Sequence, residues 1–315
     1  MKRLLTFLIF FSLLLQAENI SPLYKLHTSG FITDFVLDED KIYVATDAGN
    51  VDIFPLGSEK MIRQISLEPI RSGRDELIPA RINRVDRLNG KTLIVSMAKD
   101  NYRDVWLEEG GQLSKIIDAK EKLLISEAHF IDDNSVVFAT FDSDLILYNL
   151  SEGYKTYSHS NSQSTLCDLS ISSDHKKMVS ADESGRVKLY DVRSGNNEAV
   201  FESENVDKVY SVAYHKGVVI TGGEDRRVAV YQSNKKPYHL KTSFLVYAVG
   251  LSPDAKTGIY ADGEEQVLQL FNTQTKKKGD RLVGHKEIVS KIIFVSEKAL
   301  ISSGEGSELF LWRLH

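Results

Sequence analysis

An aromatic residue returns along this chain at near-constant intervals: Phe54, Trp106, Tyr148, Tyr190, Tyr231, Phe271 and Trp312, separated by 52, 42, 42, 41, 40 and 41 residues. Each closes a stretch in which apolar and polar residues alternate at period two, the signature of a half-buried strand. Cys167–Asp191 shows it most plainly. CDLSISSDHKKMVSADESGRVKLYD reads as three strand patterns broken by polar turns at Ser172–Lys177 and Asp182–Arg186. A unit of about 40 residues built from a few short strands cannot bury its two apolar faces alone, so units at this period must stack on one another. Stacking them radially into a ring covers both faces of every unit.

One unit runs from Phe31 to Phe54, with turns at Asp38–Lys41 and Asp47–Asn50. Others begin at Ile82, Glu127, Val209, Val246 and Ile288, which makes seven with the Cys167 unit. Asn89-Gly90, in the second, is a two-residue hairpin signal. No helical periodicity longer than a turn interrupts the pattern. The last unit is left with three strands once its predecessor's outer strand is assigned, because the sequence stops three residues after Trp312. The unassigned strand pattern Leu23–His27 is expected to supply the fourth. The fold class expected is therefore all-β: a seven-bladed β-propeller in a single domain, residues 18–315, closed by an N-terminal strand that completes the last blade.

The units resemble WD40 repeats. Gly284-His285 with Trp312 gives the last unit that family's paired landmarks, and Ser252-Pro253-Asp254 matches its usual turn between the first two strands. Six residues before the closing aromatic, Asp100, Asp142 and Asp225 match the turn aspartate of the family's buried hydrogen-bond network. Ten residues before it, Ser96, Ser180, Thr221 and Ser302 match the hydroxyl of that network. Every set is incomplete, and in the unit that has the histidine, Gly306 stands where the aspartate belongs. The resemblance implies that these residues stabilise the fold and carry no chemistry.

Composition bears on compartment and chemistry. Lys2 and Arg3 precede the apolar run Leu4–Leu15 and then Gln16-Ala17, the three-part pattern of a secretory leader over residues 1–17. Twelve mostly apolar residues are too few to span a bilayer, which takes about 20, although an uncleaved anchor is the competing reading. Cleavage after Ala17 removes two cations, leaving 37 Lys and Arg against 44 Asp and Glu, a net charge of −7. No cysteine follows the cleavage point to carry a lipid, so a soluble periplasmic protein without membrane insertion is expected. The acidic balance argues against nucleic acid as a partner, and the short Lys276–Lys278 run reads as a solvated hairpin tip.

The single Cys167 can form no internal disulfide and falls in a strand pattern, where a small buried side chain is the plain role. The eight histidines stand singly, with no metal-binding spacing, no phosphate loop and no nucleophile elbow. No cofactor and no enzymatic activity are expected. The alternative is a propeller enzyme with an active site at the axis, assembled from residues distant in sequence.

The 52-residue interval places about eleven extra residues between the first two units, at Leu67–Ala80. This insertion carries two prolines and a charge cluster, and Arg71, Arg74, Arg81 and Arg84 lie in or beside it. Loops that depart from a repeat carry function more often than blade interiors do, so these four arginines are the expected partner-binding sector of a monomeric, non-enzymatic propeller. The secreted layout, the degenerate repeats and the lack of a haem motif resemble the NapL family of periplasmic nitrate reductase accessory proteins. That resemblance implies components of the reductase as partners. A scaffold for envelope or outer-membrane assembly is the alternative within the binding class.

Overall fold

Residues 17–315, which the computed structural model describes, run through seven blade sheets, six of four antiparallel strands and one of four extended by a fifth. We number these blades 1 to 7 in chain order. Their first strands are Ile32–Asp38, Ile82–Leu88, Ile125–Asp132, Leu166–Ile171, Val209–His215, Val249–Leu251 and Val289–Ser296. First strands of successive blades pack against each other, so they surround the axis. The leader expected over residues 1–17 lies, but for Ala17, outside the described residues. Among the described residues no helix is long and apolar enough to cross a membrane.

Strand composition follows radial position. Second strands have a neighbouring blade on each face, so they read as unbroken apolar runs, as in Ile42-Tyr43-Val44-Ala45 and Leu93-Ile94-Val95, all buried. Fourth strands lie at the rim and are polar, as in Tyr154–Ser160 of blade 3, which is mostly exposed. The core is therefore a set of inter-blade layers. Tyr43, Val51 and Ile53 of blade 1 meet Ile82, Val85 and Ile94 of blade 2. Phe35, Ile42 and Phe54 of blade 1 meet Leu26, Ile301 and Leu309 of blade 7. Each such side chain contributes about 1.5–3 kcal/mol by leaving water. Asn89 and Gly90 both adopt positive φ in the hairpin turn of blade 2, as the dipeptide predicts.

The ring closes as expected. Tyr24–His27 pairs antiparallel with Glu308–Arg313 as the fourth strand of blade 7, placing Leu26 opposite Leu309. An unexpected strand precedes it. Asn19–Ile20 adds in parallel to Lys278–Leu282 at the edge of blade 6, so the N-terminal segment also ties blade 6 to blade 7. The Leu67–Ala80 insertion is ordered. Leu67 and Ala80 are buried at its two ends, and between them Ile70–Arg71 and Leu77–Ile78 form a small hairpin.

Candidate functional site

Strand order decides which loops share a face. Turns between second and third strands lie on the same side of the ring as the connections from one blade to the next, and we call this the connection face. The Leu67–Ala80 hairpin belongs to it. Phe31, Leu77, Phe141, Val206 and Val283, large apolar side chains left exposed, also lie on connections or turns of this face. A groove of about 510 Å³ separates the hairpin from the neighbouring loops of blade 2. It is lined by Ile70, Ala98 and Tyr102 with Arg71, Lys99 and Lys122.

The four arginines of the expected sector do not share one surface. Arg71 is exposed on the hairpin and pairs with Asp75 at 3.1 Å. Arg74 and Arg81 are exposed on the same face. Arg84 is different: its side chain turns into the axial channel and forms a double ion pair with Glu127 of blade 3, with Nε 2.8 Å from Oε2. Burial disfavours the Arg84 charge, but the Glu127 carboxylate outweighs it and raises the guanidinium pKa. Arg84 is thus removed from the docking sector. The bulge at Asn83 turns it toward the axis.

Arg84 belongs to a ring of side chains that the sequence reading did not single out. In six first strands the ladder skips one residue near the start, namely Thr33, Asn83, Ser126, Cys167, Tyr210 and Ser290. Such bulges re-aim the residue that follows. Asp34, Arg84, Glu127, Asp168, Ser211 and Lys291 accordingly stand at one level around the axis. Several reach across to the next blade. Asp34 accepts from the backbone N–H of Val85 at 3.0 Å, Asp168 from that of Val212 at 2.7 Å, and Ser211 from that of Val249 at 3.3 Å. A sequence signal existed in the recurring apolar-x-polar-apolar start of the units: ITDF at 32–35, INRV at 82–85, LCDL at 166–169, VYSV at 209–212 and VSKI at 289–292.

The charges in this ring are not equally matched. Lys291 donates to Asp34 at 2.5 Å. Burial alone would raise the Asp34 pKa, yet Lys291 and Arg84 hold it below the usual carboxylate value. Asp168 has no ion-pair partner among the described residues. Burial first, and the nearby Glu127 second, push it up to about 6. Cys167 lines the same cavity, half-buried, with its thiol pushed up to about 12 by burial. It is therefore not the fully buried side chain that its strand pattern suggested.

The landmark aromatics Phe54, Tyr148, Tyr190, Tyr231, Phe271 and Trp312 are buried on third strands, and Trp106 is half-buried. In blade 7 the Trp312 indole donates to Ser302 Oγ at 2.8 Å, and His285 Nε2 lies 2.7 Å from the same oxygen. Burial holds the His285 pKa down to about 4, so the ring is neutral and takes the Ser302 hydroxyl proton as acceptor. In blade 5 Asn205 occupies the histidine's place, accepting from Thr221 at 2.8 Å and donating to Tyr231 at 3.1 Å. Asn161 bridges Ser180 and Tyr190 in blade 4 with the directions reversed, its amide N–H donating to Ser180 Oγ at 3.1 Å and its carbonyl oxygen accepting from the Tyr190 hydroxyl. Asp225 caps this arrangement in blade 5 by accepting from the N–H of Val206 at 3.0 Å. Asp100 and Asp142 do not. They are exposed at the tips of their turns, and Asp100 stands at positive φ, which swings its side chain out of the blade.

The strand order defines a class by fold, the seven-bladed β-propeller. Residues 152–191 match the WD domain, G-beta repeat family model. That repeat unit takes the last strand of blade 3 with the first three of blade 4. A stretch of 176 residues is 28% identical to the mitotic checkpoint protein bub-3 of Caenorhabditis elegans, covering 52% of this chain and 51% of that protein. The matched region thus spans about half the length of that relative. Together these findings support the WD40 propeller family, whose members are typically scaffolds for protein interaction.

Proposed function

We propose that this chain is a non-enzymatic periplasmic scaffold that docks protein partners on its connection face and serves as an accessory or assembly factor for a periplasmic nitrate reductase. The observation that carries the reading is the ordered hairpin Ile70–Ile78, which interrupts the repeat between blades 1 and 2. It is anchored by buried residues at both ends and flanks a groove on a face with five exposed apolar side chains. A rigid ring that presents such loops is suited to partner binding, and arginine is favoured at such contacts because its planar fork pairs with carboxylates and stacks on rings. The leader pattern over residues 1–17 supports the compartment, and the layout resembling NapL supports the nitrate reductase system as partner.

The test is capture of partners from the native envelope with the tagged protein and with a variant in which Arg71, Arg74 and Arg81 are all alanine. Reductase subunits are expected with the parent and at least several-fold less with the variant. Equal recovery from both would move the docking surface elsewhere, and the absence of reductase subunits from the parent's partners would overturn the assignment to that system.

A further inference from the structure

The axial cavity, about 420 Å³, carries an asymmetry that docking on the hairpin does not use. Four ring charges are consumed pairwise, Lys291 with Asp34 and Arg84 with Glu127. Going on around the axis, Asp168 meets only backbone: its two oxygens accept from Leu169 N–H at 2.9 Å and Val212 N–H at 2.7 Å. A carboxylate has room for about four such bonds, so two acceptor sites stay open. Beyond it the wall is lined by small residues, Ser211, Ala213 and Gly250, which leaves space beside the carboxylate. His129 and His215 also line the cavity, and His129 lies 3.8 Å from Glu127.

The mouth above Asp168 is aromatic. Tyr210 lines the cavity and stacks on Tyr247, with ring centroids 4.8 Å apart. The Tyr210 hydroxyl donates to Glu224 at 3.0 Å, which places a further carboxylate at the rim. A half-buried carboxylate with open acceptor positions and no ion-pair partner among the described residues, set beside an aromatic ring, is an environment for a cation that can both donate hydrogen bonds and lie along the ring edge.

We propose that the axial cavity is a binding site for an organic cation, an ammonium or guanidinium group, which hydrogen-bonds to the open acceptor positions of Asp168 alongside the edge of the Tyr210 ring. This site is independent of the hairpin groove. Its cation has two sources, a free small molecule or a Lys or Arg side chain presented by a docked protein, and both offer the same chemistry.

The single cysteine reports on occupancy, because Cys167 lines this cavity next to Asp168. The experiment measures the rate at which a small thiol reagent modifies Cys167, by intact mass, with increasing agmatine, with the capped peptide acetyl-Gly-Arg-Gly-amide, and with its neutral glutamine counterpart. Agmatine is expected to slow modification at least threefold in a saturable way, and the glutamine peptide to leave it unchanged. Protection by agmatine alone marks a free ligand, whereas protection by the arginine peptide at equal or lower concentration marks a side chain. In Asp168→Asn the half-protecting concentration should rise tenfold or more. In Tyr210→Ala, which disturbs only the mouth and keeps the proposal testable if the first variant is poorly folded, it should rise about threefold. An unchanged modification rate at saturating concentrations of both cations, equal protection by the glutamine peptide, or unchanged protection in a folded Asp168→Asn would each overturn the site.

Discussion

Lys291 Nζ of blade 7 lies 2.5 Å from Asp34 Oδ1 of blade 1, so the seam where the ring closes is joined by an ion pair at the axis as well as by a strand at the rim. Asp34 is buried, and its other oxygen holds the Val85 N–H of blade 2. One carboxylate therefore links three consecutive blades.

Replacing Lys291 by Met should leave that carboxylate uncompensated, a loss we place at about 1–3 kcal/mol because the lysine is itself partly exposed. The sign with pH follows from the depressed Asp34 pKa. The pair contributes stability above the unfolded-state value near 4, and that contribution fades as acid protonates the folded carboxylate. Urea unfolding should show a larger penalty for Lys291→Met at pH 7 than at pH 3.5. An equal penalty at both would mean that the lysine stem, not its charge, holds the seam.

Blade 5 invites a comparison between residues that share a repeat position but not a structural role. Asn205 bridges Thr221 and Tyr231, while Asp225 holds the preceding connection through Val206 N–H. Alanine at either position should cost about 1–2 kcal/mol through lost and orphaned hydrogen bonds. Alanine at Asp100 or Asp142, both exposed, should stay within about 0.5 kcal/mol. Thermal denaturation of the four single variants decides between a structural and a merely positional reading of the repeat.

The period of the aromatics exposes the blades because each one closes a third strand that packs between neighbouring sheets, and burial on both faces enforces residue type at that place. The hydrogen-bond networks were less legible, since Asn161 and Asn205 perform with an amide what His285 performs with an imidazole, and a pattern tied to histidine passes over them. Asp100 and Asp142 mislead for the opposite reason: they keep the position and lose the contact when their turns change backbone conformation. Arg84 was grouped with Arg71, Arg74 and Arg81 by proximity along the chain, but a strand side chain alternates sides and a bulge resets that alternation. The skipped residue Asn83 sends Arg84 to the axis. The strand Asn19–Ile20 carries too few residues for any periodicity to be read.

His285 gives blade 7 a pH dependence of its own. Its folded pKa, held to about 4 by burial, lies below the ordinary value of 6.5, so the unfolded chain binds the proton more readily. The stabilisation is fully present above pH 6.5 and declines as pH falls toward 4, where the protonated ring can no longer accept from Ser302. His285→Gln, which keeps an acceptor and does not titrate, should flatten the melting temperature over that window. A profile with the same slope in both proteins would assign the acid sensitivity to other groups.

The N-terminal segment allows closure of the ring to be separated from reinforcement of its neighbour. Asn19–Ile20 ties blade 6 through two parallel pairs, and Ile20 is buried in the layer between blades 6 and 7. A protein starting at Pro22 loses this tie but keeps Tyr24–His27, so it should remain folded with a melting temperature lower by several degrees. A protein starting at Ser29 also loses the fourth strand of blade 7. That exposes the edge of Glu308–Arg313 and removes Leu26, which is fully buried against Phe35, Leu309 and Leu311. The unpaired edge is a template for association with other copies, so this form should unfold far earlier and aggregate. Leu26→Ala isolates the packing contribution from the strand, and for a fully buried leucine it should cost about 2–5 kcal/mol. If the protein starting at Ser29 melts within a degree or two of the one starting at Pro22, the strand Tyr24–His27 is dispensable and the seam is held by Lys291 and Asp34 at the axis.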